Sequence, residues 1–157
     1  MYRRVLVALD GSLVAEGIIP FIMQIAGPLD IQVVLLRVLV PVPPMAVERT
    51  RQVEDAEKHR PEAEEYLAGM ARELRDKGVR ATTEVRRGEP VAKILEGARE
   101  AKADLIAMTT HGRSGLGRLL FGSVAEAVLR QADIPVFLMR LPDDRTAARA
   151  AWPEERR

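Results

Sequence analysis

Between Thr110 and Ser123 the chain reads THGRSGLGRLLFGS, with four glycines, two arginines, two serines and a histidine. These residue types suit the holding of an anion. Glycine lets main-chain N–H groups approach a ligand closely and adopts positive φ at little steric cost. A helix start behind such a loop adds unpaired N–H groups and the favourable end of a dipole. Gly112 stands just past an apolar run, and Gly122 and Ser123 stand at the expected start of a helix. Between them the loop could fold over a polyphosphate, with Arg113 and Arg118 as counter-charges and a Ser114 or Ser123 hydroxyl on a phosphate oxygen. No GK[ST] closes the loop, so it is not a Walker loop. Its glycine order is G-x-x-G-x-G, which differs from the dinucleotide fingerprint. Ser123 with Glu126 also spells S-x-x-E, a capping box that would satisfy the helix start from within. Spacing alone leaves both readings open.

A second chemical stretch, LDGS, follows the first apolar run. Asp10 could accept hydrogen bonds from a ribose hydroxyl or an adenine amine, or it could close an Asx-turn with Gly11. Val38 and Met108 end apolar runs and could line an adenine pocket or fill the core. His111 could touch phosphate or shape the turn, and the only other histidine, His59, lies in a charged segment. No His and acidic spacing marks a metal site. The run RTRQVEDAEKHRPEAEE reads as a solvated helix face.

These residues need elements to position them. VLVAL at residues 5–9 is a continuous apolar run with a turn signal behind it, the pattern of a strand buried on both faces. Ser12 can cap a helix over 13–26, with Pro20 expected to kink or break it and Gly27-Pro28 to end it. IQVVLLRVLV is the second strand, and PVPP stops it. Residues 47–77 are helical and charged, with an interruption expected at Pro61. Beyond it Ala63, Tyr66, Leu67, Met70, Ala71 and Leu74 form one stripe, and Gly78 ends the helix. VRATTEV is a third strand, residues 91–101 a helix with Pro90 at its first turn, and ADLIAMT a fourth strand. A helix over 123–131 and a fifth strand, IPVFLM from Ile134 to Met139, complete the body. The segment 141–157 is polar and alanine-rich and reads as a mobile tail.

Alternating strands and helices call for a parallel sheet covered on both faces. Ligands bind such sheets beyond the carboxyl ends of the strands, where the winding reverses. If strands one and four are neighbours, both chemical loops meet at that reversal, and the expected order is 3-2-1-4-5.

The totals narrow the partners. The 157 residues suit one domain. With 24 basic and 23 acidic residues, the net charge is +1, which gives no global case for nucleic acid or a membrane surface. There is no cysteine, which removes disulfides, thiolate catalysis and cysteine-based zinc sites. No apolar run is long enough to span a bilayer. The run after Arg3 and Arg4 is too short for a signal peptide, so a cytoplasmic address is expected.

The start MYRRVLVALDGS, the segment ADLIAMTTHGRSGLGRLLFGSVAEAVLRQADIPVFLM and the element order together resemble the universal stress protein family over roughly Met1 to Arg140. Nucleotide-binding members of that family carry G-x2-G-x9-G-[ST]. Gly112, Gly122 and Ser123 fit the later part, and Thr109 stands where the first glycine would be. The resemblance implies a single domain over 1–140 with a flavodoxin-like, adenine nucleotide alpha hydrolase-like three-layer α/β sandwich that binds ATP or another adenine nucleotide. It places adenosine contacts at Ala8, Leu9, Asp10 and Val38, with Met108 and Thr109 at the end of the fourth strand. It places phosphate contacts at Gly112, Arg113, Ser114, Gly122, Ser123 and Val124. Thr109 is expected to reshape the pocket, because its β-branched side chain takes space that glycine would leave.

Three functions follow as alternatives. The first is a nucleotide-binding module of the stress response, with no catalytic residue. The second is a slow ATP hydrolase using magnesium, with Asp10 as the metal-side carboxylate. The third is a nucleotide-free interaction protein. A charge-free fifth strand at the sheet edge is an association hazard unless paired, so a homodimer through Ile134–Met139 is expected, and the resemblance implies the same dimer.

Overall fold

In a computed structural model the described residues are 1–41, 49–110 and 122–140, with side chains omitted for 49–57. Most of the glycine-rich loop, including His111, Gly112, Arg113 and Ser114, lies outside them, as does the segment 141–157.

The elements follow as β1 (Arg4–Leu9), α1 (Leu13–Glu16), α2 (Ile19–Ala26), β2 (Gln32–Leu39), α3 (Arg49–Asp76), β3 (Ala81–Arg87), α4 (Pro90–Glu100), β4 (Leu105–Thr110), α5 (Ser123–Gln131) and β5 (Val136–Arg140). The strands form one parallel sheet in the order β3-β2-β1-β4-β5. That is the order expected from the alternation of elements. β1, β2 and β4 are apolar on both faces because helices cover both. Val5, Val7, Leu9, Val33, Leu35, Leu105 and Ala107 join the core made with α1, α2 and α3. The intervening positions Leu6, Val34, Leu36, Ile106 and Met108 join the core made with α4 and α5. The two-residue alternation of each strand therefore assigns every side chain at a strand end to one layer or the other.

The strand order reverses between β1 and β4, and sheets of this kind take ligands beyond the carboxyl ends at such a reversal. Val7 pairs with Ala107 in the β1–β4 register, which brings the two strand ends level.

The break expected at Pro20 forms just ahead of it, and two further local details differ from expectation. Residues 13–26 form two helices, because the chain turns at Gly17 and Ile18. Pro20 then falls in the first turn of α2, where its missing N–H breaks no helical bond. α3 runs unbroken through Pro61. Proline inside a helix costs about 3 kcal/mol, but the expected stripe follows it, with Ala63, Leu67, Met70, Ala71 and Leu74 all buried. At roughly 1.5–3 kcal/mol per large apolar side chain, that burial exceeds the local cost. β5 starts at Val136, two residues late. Pro135 has no N–H to give the ladder, and its carbonyl instead accepts from Ile106 N at 3.0 Å.

Candidate functional site

The β1 end carries the first part of the site. Asp10 is exposed, and its Oδ1 accepts from the main-chain N–H of Ser12 at 2.8 Å. Gly11, at φ +86, completes the turn. Ser12 then caps α1, its Oγ accepting from Ala15 N at 3.1 Å. The Asx-turn read from the sequence thus forms. It holds an exposed carboxylate at the end of β1, so turn and ligand roles can coexist.

A feature missed in the sequence supports this loop from below. Arg37 stands opposite Leu9 on β2. Its guanidinium lies 5.2 Å from the centroid of the Tyr66 ring on α3, within cation–π range. A Cβ placed on Gly11 would meet the same guanidinium at 3.0 Å. Burial, with the Glu16 carboxylate beside it, pushes the Tyr66 phenol well above its ordinary value, so it stays protonated. The signal in the sequence was a lone cation inside the apolar run VVLLRVLV.

Gly11→Ala is expected to destabilise the protein by about 1–2 kcal/mol. It forces a side chain into positive φ and presses on Arg37. A urea midpoint lowered at unchanged slope would show it, whereas an unchanged midpoint would mean that the turn relaxes freely.

Ala8, Val38 and Met108 lie on the three adjacent strands β1, β2 and β4. All three face the α4–α5 layer; Met108 is buried in its core, and Ala8 and Val38 pack against it half-buried. The sheet therefore offers a row of small and flexible apolar side chains at its carboxyl end. Leu9 is only 4% exposed and belongs to the opposite core, so its side chain points away from that row. Thr109 is also buried, and strand alternation turns its side chain toward the same opposite layer. Thr110 returns to the side of Met108.

α5 carries the remaining part. Gly122 is its N-cap residue, in extended conformation with φ −65, and has no side chain with which to cap the helix. Ser123 is exposed as the first helical residue. The capping box does not form, because Ser123 sits one position too late to cap. The Glu126 carboxylate instead accepts from Arg130 Nη2 at 2.7 Å, one turn along the helix. The Gly122 carbonyl accepts the first helical bond, from Glu126 N at 3.0 Å. Among the described residues no side chain accepts from the first-turn N–H groups. No described atom lies within 4 Å of where a Gly122 Cβ would stand. Val124, half-buried, packs on the α4–α5 core and anchors this first turn.

Chemically the arrangement joins three things: an apolar row, a turn-held carboxylate and an uncapped helix start. Among the described residues no three of His, Asp and Glu converge to hold a metal ion.

Comparison with known proteins gives a consistent picture. The model of the universal stress protein family matches residues 1–140. Universal stress protein MJ0531 of Methanocaldococcus jannaschii is 33% identical over 143 residues, covering 90% of this chain and 84% of that protein. The solved structure of MJ0577, from the same organism, superposes with a TM-score of 0.74 at 25% identity, over 92% of this chain and 99% of that one. A universal stress protein from Archaeoglobus fulgidus, solved in complex with dAMP, shares the fold with a TM-score of 0.58 at 21% identity, over 87% of this chain and 97% of that one.

Proposed function

The chain belongs to the universal stress protein family, and from that premise we propose that it is a regulatory binding module for an adenine nucleotide, ATP foremost. The observation that supports this reading is the start of α5, where Gly122 is the N-cap and no described side chain caps the first turn, on a helix that packs against the layer of the apolar row. Adenine packs on Ala8, Val38 and Met108, and the main chain at Leu9 adds polar contacts. Asp10 takes the ribose. The main-chain N–H groups of Ser123 and Val124, beside Gly122, take the phosphates, where helix N–H groups and dipole act together. Gly112, Arg113 and Ser114 are assigned to the same phosphates from the segment beyond the described residues. Thr109 borders the site through its main chain. The dAMP complex of the Archaeoglobus fulgidus protein lends support, since it places an adenine nucleotide on the same fold.

The reading takes residues 1–140 as one domain and places it in the cytoplasm; no described helix is long and apolar enough to cross a membrane. It assigns no catalytic residue, and magnesium enters only as the ordinary companion of ATP. Isothermal titration with ATP, ADP and AMP tests it. Saturable binding at one site per chain is expected, and absence of both heat and thermal shift at millimolar ligand would reject it.

The same reading makes the chain a homodimer. β5 is an edge strand, and Phe137 on it is 39% exposed. Pairing through Ile134–Met139 would cover an edge that carries no charge before Arg140. Sedimentation equilibrium is expected to give twice the chain mass of 17.4 kDa, and a monomer at micromolar concentration would refute the pairing.

A further inference from the structure

Arg37 is a cation on a strand face whose preceding positions, Val33 and Leu35, are apolar and fully buried. An apolar side chain would fill that place with no charge to desolvate. The guanidinium is instead held from two sides. On one side the Tyr66 ring of α3 lies 5.2 Å away, at cation–π distance. On the other stands Gly11, where a Cβ would come within 3.0 Å of the guanidinium carbon and of Nη2. Bare main chain is what fits against that plane. Gly11 is also the residue whose φ of +86 makes the turn. Asp10 stands immediately before it, its Oδ1 accepting from Ser12 N at 2.8 Å. The carboxylates of Glu16 and Asp10 both lie close enough to raise the Tyr66 phenol above its ordinary value. In the β1–β2 register Arg37 is level with Leu9, the last residue of β1. The turn that carries Asp10 is thus seated on a side chain of the neighbouring strand.

We propose that Arg37 is a positioning residue: seated between Tyr66 and Gly11, it fixes the height and direction of the Asp10 turn, so that the carboxylate meets the ribose hydroxyls of the bound nucleotide. The proposal rests on the nucleotide reading above and extends it to a side chain that touches no ligand. Arg37 meets α3, on the layer opposite to the row of Ala8, Val38 and Met108, so it acts through the turn. A carboxylate on a loose turn must be ordered when the ligand binds, whereas a braced one is ordered already on folding. The phosphate contacts assigned to the start of α5 do not pass through this turn.

The test compares wild type with Arg37→Met and Arg37→Gln, each titrated with ATP and with 2′,3′-dideoxy-ATP, which lacks the ribose hydroxyls. Amide hydrogen exchange at Ser12 is followed in the ligand-free proteins. Wild type should bind ATP about tenfold more tightly than the dideoxy compound, the worth of a hydrogen bond to a charged acceptor. In both variants that gap should close, by loss of ATP affinity alone, and the Ser12 amide should exchange about tenfold faster. A variant that loses both nucleotides equally overturns the proposal, since a merely structural residue would do that. So does an undiminished gap, or an unchanged Ser12 exchange rate. Failure of both variants to fold also overturns it, because Arg37 would then be holding the core rather than the turn. Wild type that binds both nucleotides equally removes the ribose contact and this proposal while leaving the nucleotide reading in place. Wild type that binds neither removes both, and the exchange rates still decide whether Arg37 braces the turn.

Discussion

Gly122→Val is expected to lower ATP affinity by about a hundredfold or more while leaving the fold intact. A helix start binds an anion through main-chain N–H groups, so the phosphate must approach to hydrogen-bond distance of the backbone itself. A branched side chain at the N-cap position stands in that approach. The substitution is informative because it is otherwise mild. Gly122 has negative φ, which valine adopts without strain. No described atom would meet its Cβ. Valine is a poorer N-cap than glycine, at a cost of about 1 kcal/mol, small against a total stability of roughly 5–15 kcal/mol. Circular dichroism and the melting curve should therefore stay close to wild type while the titration goes flat. Wild-type affinity in this variant would move the phosphate site away from α5.

Leu67→Ala is expected to cost about 2–5 kcal/mol, with a melting temperature lower by roughly 10 °C. Leu67 is fully buried, on the face by which α3 packs against β2 and β3. Truncation removes apolar contact and leaves a cavity that the rigid sheet cannot close. The neighbouring Tyr66 ring carries the Arg37 guanidinium, so the variant should also weaken nucleotide binding secondarily. Denaturant unfolding measures the main effect, and a loss under about 1 kcal/mol would mean that α3 is not docked as described.

The fold was legible because burial on two faces leaves a plain mark: VLVAL and ADLIAMT have no polar alternation, and helical stretches separate them. Strand order followed once the two chemical loops were required to meet. For the candidate site, LDGS does stand at the end of β1 and Gly122 at the start of α5, while the other loop glycines lie outside the described residues. What escaped was decided by tertiary packing. Pro61 looked like a breaker, yet the stripe from Ala63 to Leu74 holds the helix through it. S-x-x-E looked like a capping box, but the position of the cap is set by where Val124 and Ala125 anchor the first turn, and that made Gly122 the N-cap. Arg37 was read as part of a strand, because its meeting with Tyr66 and Gly11 joins residues far apart in the chain.

The central claim is that main-chain groups at the end of β1 and at the start of α5 close on one nucleotide. A 15N-resolved NMR titration of the wild-type protein with ATP tests this most directly, residue by residue. The account predicts that the amides of Gly11, Ser123 and Val124 shift together and saturate at a single dissociation constant, while those on β3 stay still. Shifts confined to one of the two strand ends, or none at saturating ATP, would contradict it.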